Sequence, residues 1–172
     1  HLSWRETISA WRSPYFDLKE AFPGPAAAQP LGIELEDAET LSWVARWGSV
    51  IQGVEQWEEA FARLIKLTHP GERRDEDLPE PPRQLPRGKG AVLLRDKFRR
   101  FVQRVQPPQG QHPYTTFIGW VEGIIGDQDP QQGDKTDLNL AQRAAQGPEV
   151  PAARDLEALK QLKNVFRGLI WA

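Results

Sequence analysis

A chain of 172 residues and 19.5 kDa holds one domain or two small ones. Hydrophobic residues at 39% and charged residues at 27% suffice for a packed core and exclude a wholly disordered chain. With 22 Lys and Arg against 24 Asp and Glu, the formal charge of −2 excludes a globally basic nucleic-acid binder but not a local basic patch.

Trp4, Ile8 and Trp11 recur at steps of four and three, which predicts a first helix over 2–11. Pro14 should end it, because the residue before a proline is pushed out of the α region. Residues 23–30, rich in Pro and Ala, read as loop. Asp37 is placed to cap a second helix running to Trp47, with Leu41, Val44 and Ala45 on one face and Gly48 as its stop. A third helix over 53–67 carries Val54, Trp57, Phe61, Leu64 and Ile65 as its apolar stripe. Residues 69–88 form a flexible Pro-rich connection.

Leu94, Phe98, Phe101, Val102 and Val105 stripe a fourth helix over 89–105, closed by Pro107-Pro108. Pro113 suits the first turn of the next helix, whose stripe is Phe117, Ile118, Val121, Ile124 and Ile125 and whose stop is Gly126. A short helix near 138–145 is weakly signalled. The last, over 152–170, carries Leu156, Leu159, Leu162, Phe166, Leu169 and Ile170. No strand pair stands out. The pattern predicts an all-α fold: a single helical domain over 1–172, an irregular bundle of five or six helices with long Pro-rich loops.

Few residues carry a chemical signature. The absence of cysteine excludes disulfide scaffolds, zinc–thiolate sites and thiol nucleophiles. Methionine is absent too, and the chain reads as an excised piece of a longer protein. Arg87-Gly88-Lys89-Gly90 lacks the earlier glycine, the hydroxyl and the strand of a phosphate-binding loop. His1, His69 and His112 are too scattered to converge on a metal. Asp127, Asp129, Asp134 and Asp137 suggest a cation loop, but Gln132 and Leu138 stand where a calcium loop needs Gly and Glu. Asp17-Leu18-Lys19 fits a short nuclease element without the second acid on a neighbouring strand that the chemistry requires. No metal or cofactor is expected, and no catalytic residue is assigned. No apolar run approaches the ~18 residues of a membrane span.

Charge segregation is the strongest feature. Residues 83–106 hold eight basic residues and one acid, Asp96, for a charge of +7. Residues 34–60 hold seven acids and one base, Arg46, for −6. Lys89, Arg95, Lys97, Arg99, Arg100 and Arg104 flank the stripe of the fourth helix and are the candidate DNA-binding residues. The competing reading pairs them with the acidic helices. The seven tryptophans are open to the same choice, stacking on bases or filling a core.

The run Trp11-Arg12-Ser13-Pro14-Tyr15-Phe16-Asp17, after an amphipathic helix, resembles an L-R-S-P-Y-F-D element in the B subunit of bacterial AddAB-type helicase–nucleases and related UvrD-like proteins. Stretches similar to 53–61, 117–127 and 153–159 follow in the same order in that family. The resemblance implies a non-catalytic, cytoplasmic helical segment upstream of the nuclease domain, supporting or guiding DNA during recombinational repair. Its implied partners are DNA, the neighbouring helicase and nuclease domains and a partner helicase subunit, with no membrane. The parent would be an ATP-dependent helicase/exonuclease subunit, and its nuclease acids and iron–sulfur cysteines would lie outside this segment. A structural or protein-interaction module that docks neighbouring domains without touching DNA is the alternative.

Overall fold

The computed structural model describes residues 3–13, 33, 35–67, 82–126, 140–147 and 149–168. Seven helices account for most of them: α1 (Trp4–Arg12), α2 (Leu35–Trp47), α3 (Val54–Lys66), α4 (Lys89–Val105), α5 (Tyr114–Ile125), α6 (Leu140–Ala145) and α7 (Glu149–Gly168). Among the described residues the only β-type pairing is an isolated bridge between Ser3 and Gln52. The fold is all-α, as the periodicity predicts, with one or two helices more than expected. The described residues up to Phe101 form one compact unit and those from Val102 onward form another, the division falling inside α4.

In the first unit, Ser3 caps the start of α1. The Ser3 hydroxyl accepts from the Glu6 amide at 3.3 Å and donates to the Glu6 carboxylate at 2.8 Å. Thr7, buried on the inner face, donates its hydroxyl to the Ser3 carbonyl at 2.9 Å. α2 begins at Leu35, so Asp37 lies within its first turn and is not the predicted cap. It ends in a Schellman motif: the Val50 amide reaches the Ala45 carbonyl at 2.8 Å and the Ser49 amide reaches Arg46 at 3.4 Å. The left-handed residue of that motif is Ser49, at φ 54. Gly48 is there for space: a Cβ on it would lie 2.5 Å from the Cβ of Ala60 on α3. The turn into α3 is held by the Gln56 side chain, which accepts from the amides of Ile51 at 2.7 Å and Gln52 at 3.1 Å.

The core of this unit is aromatic. Trp57 and Phe61 of α3 are fully buried and meet Phe98 of α4 at ring-centre distances of 5.0 and 5.6 Å. One turn further along α4, Phe101 packs edge-on against Trp11 of α1 at 5.8 Å. Val54 and Ile65, at the ends of the predicted α3 stripe, are only half-buried, and Ala60 takes a core position instead. Residues 82–88 of the Pro-rich connection form a turn that buries Leu85 and ties the Gly88 amide to the Leu64 carbonyl at 3.2 Å; 69–81 lie outside the described residues.

The second unit is built on α5, α6 and α7. Pro113 caps α5 instead of occupying its first turn, and Gly126, at φ 66, ends it as expected. Buried Ala141, Ala144 and Ala152 let α6 and α7 approach closely across the Gly147 turn. α7 starts three residues before the predicted Ala152 because Pro151 falls in its first turn, where no backbone donor is needed. Leu162 is 43% exposed, so the predicted α7 stripe is not wholly buried.

Candidate functional site on the basic helix

The six candidate cations all lie on α4, whose apolar stripe fixes which way each can point. Ala91, Leu94, Phe98 and Phe101 are buried, which leaves the charged positions on the flanks. From there the acidic helices of the first unit are within reach. Lys97 Nζ donates to Asp37 Oδ2 of α2 at 2.6 Å, with both side chains largely buried at 13% and 21% exposure. Arg99 forms a two-pronged pair with Glu58 of α3, its Nε and Nη2 each 2.6 Å from a carboxylate oxygen. The hydrogen bond to Glu58, ahead of the electrostatic pull of Glu58 and Asp96, raises the Arg99 guanidinium above its ordinary value. Arg95 turns to its neighbour Asp96 at 3.1 Å.

Lys89 is exposed and Arg100 half-buried, and neither forms an ion pair with a described residue. Arg104 is half-buried on the last turn, beyond the division between the units, and has an interaction of its own. The basic stretch is therefore not one uniform face. Its middle, Lys97 and Arg99, is neutralised from the first unit, and Arg95 is met locally.

The other sequence candidates do not converge on chemistry. In the Arg87–Gly90 stretch, the Gly88 amide is bonded to Leu64 at 3.2 Å and the Gly90 amide to Arg87 at 3.1 Å, so neither is offered to a phosphate. His112 is exposed, its Nε2 2.7 Å from the Gln109 carbonyl and its ring edge-on to Phe117. His1, His69, Asp17-Leu18-Lys19 and the four aspartates of 127–137 lie outside the described residues. Among the described residues no group of His, Cys, Asp or Glu could hold a metal ion, and no helix is long and apolar enough to cross a membrane.

The tryptophans divide. Trp11, Trp47 and Trp57 are buried, Trp4 and Trp120 are half-buried, and Trp43 is 46% exposed with the Arg46 guanidinium 5.7 Å from its ring centre. Sequence reasoning did not single out Asp37 as an ion-pair partner. The signal was present: an acid in the first turn of α2, on the edge of its apolar face, opposite an excess of base elsewhere in the chain.

No protein-family profile, curated protein or solved structure matches the chain. The resemblance to the AddAB B subunit therefore rests on the quoted residues alone, and five of those, 14–17 and 127, lie outside the described residues.

Proposed function

We propose that this chain is a helical structural and docking module whose acidic and basic helices hold one another. One observation carries the reading: Lys97 and Arg99, at the centre of the basic stretch, are already engaged by Asp37 and Glu58. A cation spent on an internal carboxylate releases no counterion when a phosphate approaches, and so contributes little to DNA affinity. The module would serve inside a larger protein. The AddAB-type resemblance makes a DNA end-processing helicase–nuclease the setting to test first.

A second reading, direct support of DNA, draws on Lys89 and Arg100, which have no ion-pair partner among the described residues. Titrating a fluorescent duplex with the whole chain at two salt concentrations separates the two. The docking reading expects no binding even at low salt. Measurable affinity that falls with salt by roughly 0.9 log units per log unit for each phosphate contact, and that Lys89→Gln with Arg100→Gln flattens, would replace it with the DNA reading.

A further inference from the structure

Between α5, α6 and α7 of the second unit lies a cleft of about 400 Å³. That is the size of an ordinary small-ligand site. Its apolar wall includes Ile125 of α5 and Leu156 and Leu159 of α7; Ile125 is buried, while the two leucines are only half-covered. Along the same wall of α7 stand Lys160, Lys163 and Arg167, spaced by three and four residues and so on one face of the helix. Glu157 is the only acid among the described lining residues, and Gln161 donates to its carboxylate at 2.7 Å. Among the described lining residues, three cations stand against one acid.

The cations are not equally committed. Arg167 is paired with Glu122. Lys163, half-buried, donates to the Gly126 carbonyl at the end of α5. A carbonyl takes one of the three ammonium donors and does not neutralise the charge. Lys160 forms no ion pair with a described residue. Two ammonium groups one turn apart, beside a half-covered apolar wall, thus have no counter-charge among the described residues.

We propose that this cleft binds a small amphipathic carboxylate, with the headgroup between Lys160 and Lys163 and the hydrocarbon against Leu156, Leu159 and Ile125. A neutral molecule of the same shape would leave both ammonium groups uncompensated, and a cation would be repelled. Charge-assisted hydrogen bonds supply the discrimination, and apolar burial supplies the remainder of the affinity.

Octanoate is the probe, titrated into the 172-residue chain by calorimetry with methyl chemical shifts recorded in parallel. The expected result is saturable one-to-one binding that shifts the methyls of Ile125, Leu156 and Leu159. 1-Octanol and octylammonium should bind at least roughly tenfold more weakly. Lys160→Gln should weaken octanoate by about tenfold and Lys160→Glu by more, with the helical circular-dichroism signal unchanged, since this exposed side chain supports no described contact. Absence of saturable binding, equal binding of octanol or octylammonium, or an affinity indifferent to Lys160→Glu would each overturn the proposal.

Discussion

Gly48 and Ser49 are neighbours at one helix terminus, yet substitutions there should move stability in opposite directions. Ser49 holds the left-handed position of the Schellman motif at φ 54. That conformation costs an L-residue about 1–2 kcal/mol, whereas glycine gives up about 0.5–1 kcal/mol of backbone freedom on folding. Ser49→Gly should therefore stabilise by roughly 0.5–1 kcal/mol. Gly48 answers to a different constraint. An alanine Cβ there would stand 2.5 Å from the Ala60 Cβ and 3.1 Å from the Val44 carbonyl oxygen. Carbon atoms prefer about 3.5–4.0 Å, so the end of α2 and the middle of α3 would have to part by about 1 Å. Overpacking of this kind costs about 1–3 kcal/mol, from which the better backbone propensity of alanine returns about 0.5–1. The expected net loss is roughly 0.5–2 kcal/mol. Urea melts followed by far-ultraviolet circular dichroism measure both. Ala60→Gly in the Gly48→Ala background tests the cause, because removing the opposing methyl should relieve the clash and give a coupling of about 1 kcal/mol. An unchanged midpoint for Gly48→Ala, or simple additivity with Ala60→Gly, would refute the close approach; a loss on Ser49→Gly would refute the cap.

Trp57→Ala should cost about 3–5 kcal/mol, but Trp57→Phe only roughly 1–2, because the buried indole N–H has no acceptor to lose; equal costs in chemical denaturation would reveal an acceptor. Lys97→Met should destabilise by about 1–3 kcal/mol, since it removes the ammonium that faces the largely buried Asp37 carboxylate, whereas Arg99→Met should cost no more than about 1, its side chain being 48% exposed and screened. The reverse order in thermal melts at low salt would show that the two-pronged geometry outweighs burial. Because hydrogen bonding raises Arg99, its contribution is fully present at neutral pH and is lost only when strong alkali deprotonates the guanidinium, so the Arg99→Met difference should stay flat between neutral and mildly alkaline pH. The purified chain should show neither ATPase nor metal-dependent nuclease activity; cleavage that Asp17→Ala abolishes would be the refuting result.

Most of the architecture was legible because it follows from periodicity. The bounds of α4 are those its stripe predicts, and Trp57, Phe61, Phe98 and Phe101 are buried as their spacing requires. What failed was local and had local causes. Asp37 precedes an apolar run as a cap would, but the backbone already turns helical at Leu35, and the carboxylate is used at longer range. The predicted start at Ala152 leaves Pro151 out of α7, although in a first turn a proline removes no hydrogen bond. Gly48 reads as a stop for α2 by its conformation, whereas Ala60 on the next helix is what requires it. The cap of α1 is legible in Ser3-Trp4-Arg5-Glu6, a hydroxyl residue three positions before an acid. The cleft of the second unit could not have been read at all, because it depends on how α5, α6 and α7 meet, and no single-helix pattern contains that.

The ion pairs of α4 give the charge segregation a part in helix placement. Aromatic packing alone fixes α4 against α3 loosely, because Leu94, Phe98 and Phe101 recur at helical spacing and a one-turn slip would still present bulky apolar residues to Trp57 and Phe61. The two ion pairs break that degeneracy. Only one register brings Lys97 to Asp37 on α2 and Arg99 to Glu58 on α3 at the same time, and the pairs address two different helices from two positions on α4. A slipped α4 would take the Lys97 ammonium away from the largely buried Asp37, at a cost comparable to that of a lost core contact. Exposed pairs contribute little to stability, so the value of Arg99 and Glu58 lies mainly in orientation. Two cations of the +7 segment, Lys97 and Arg99, thus meet two acids of the −6 segment, whereas Lys89 and Arg100 form no ion pair with a described residue.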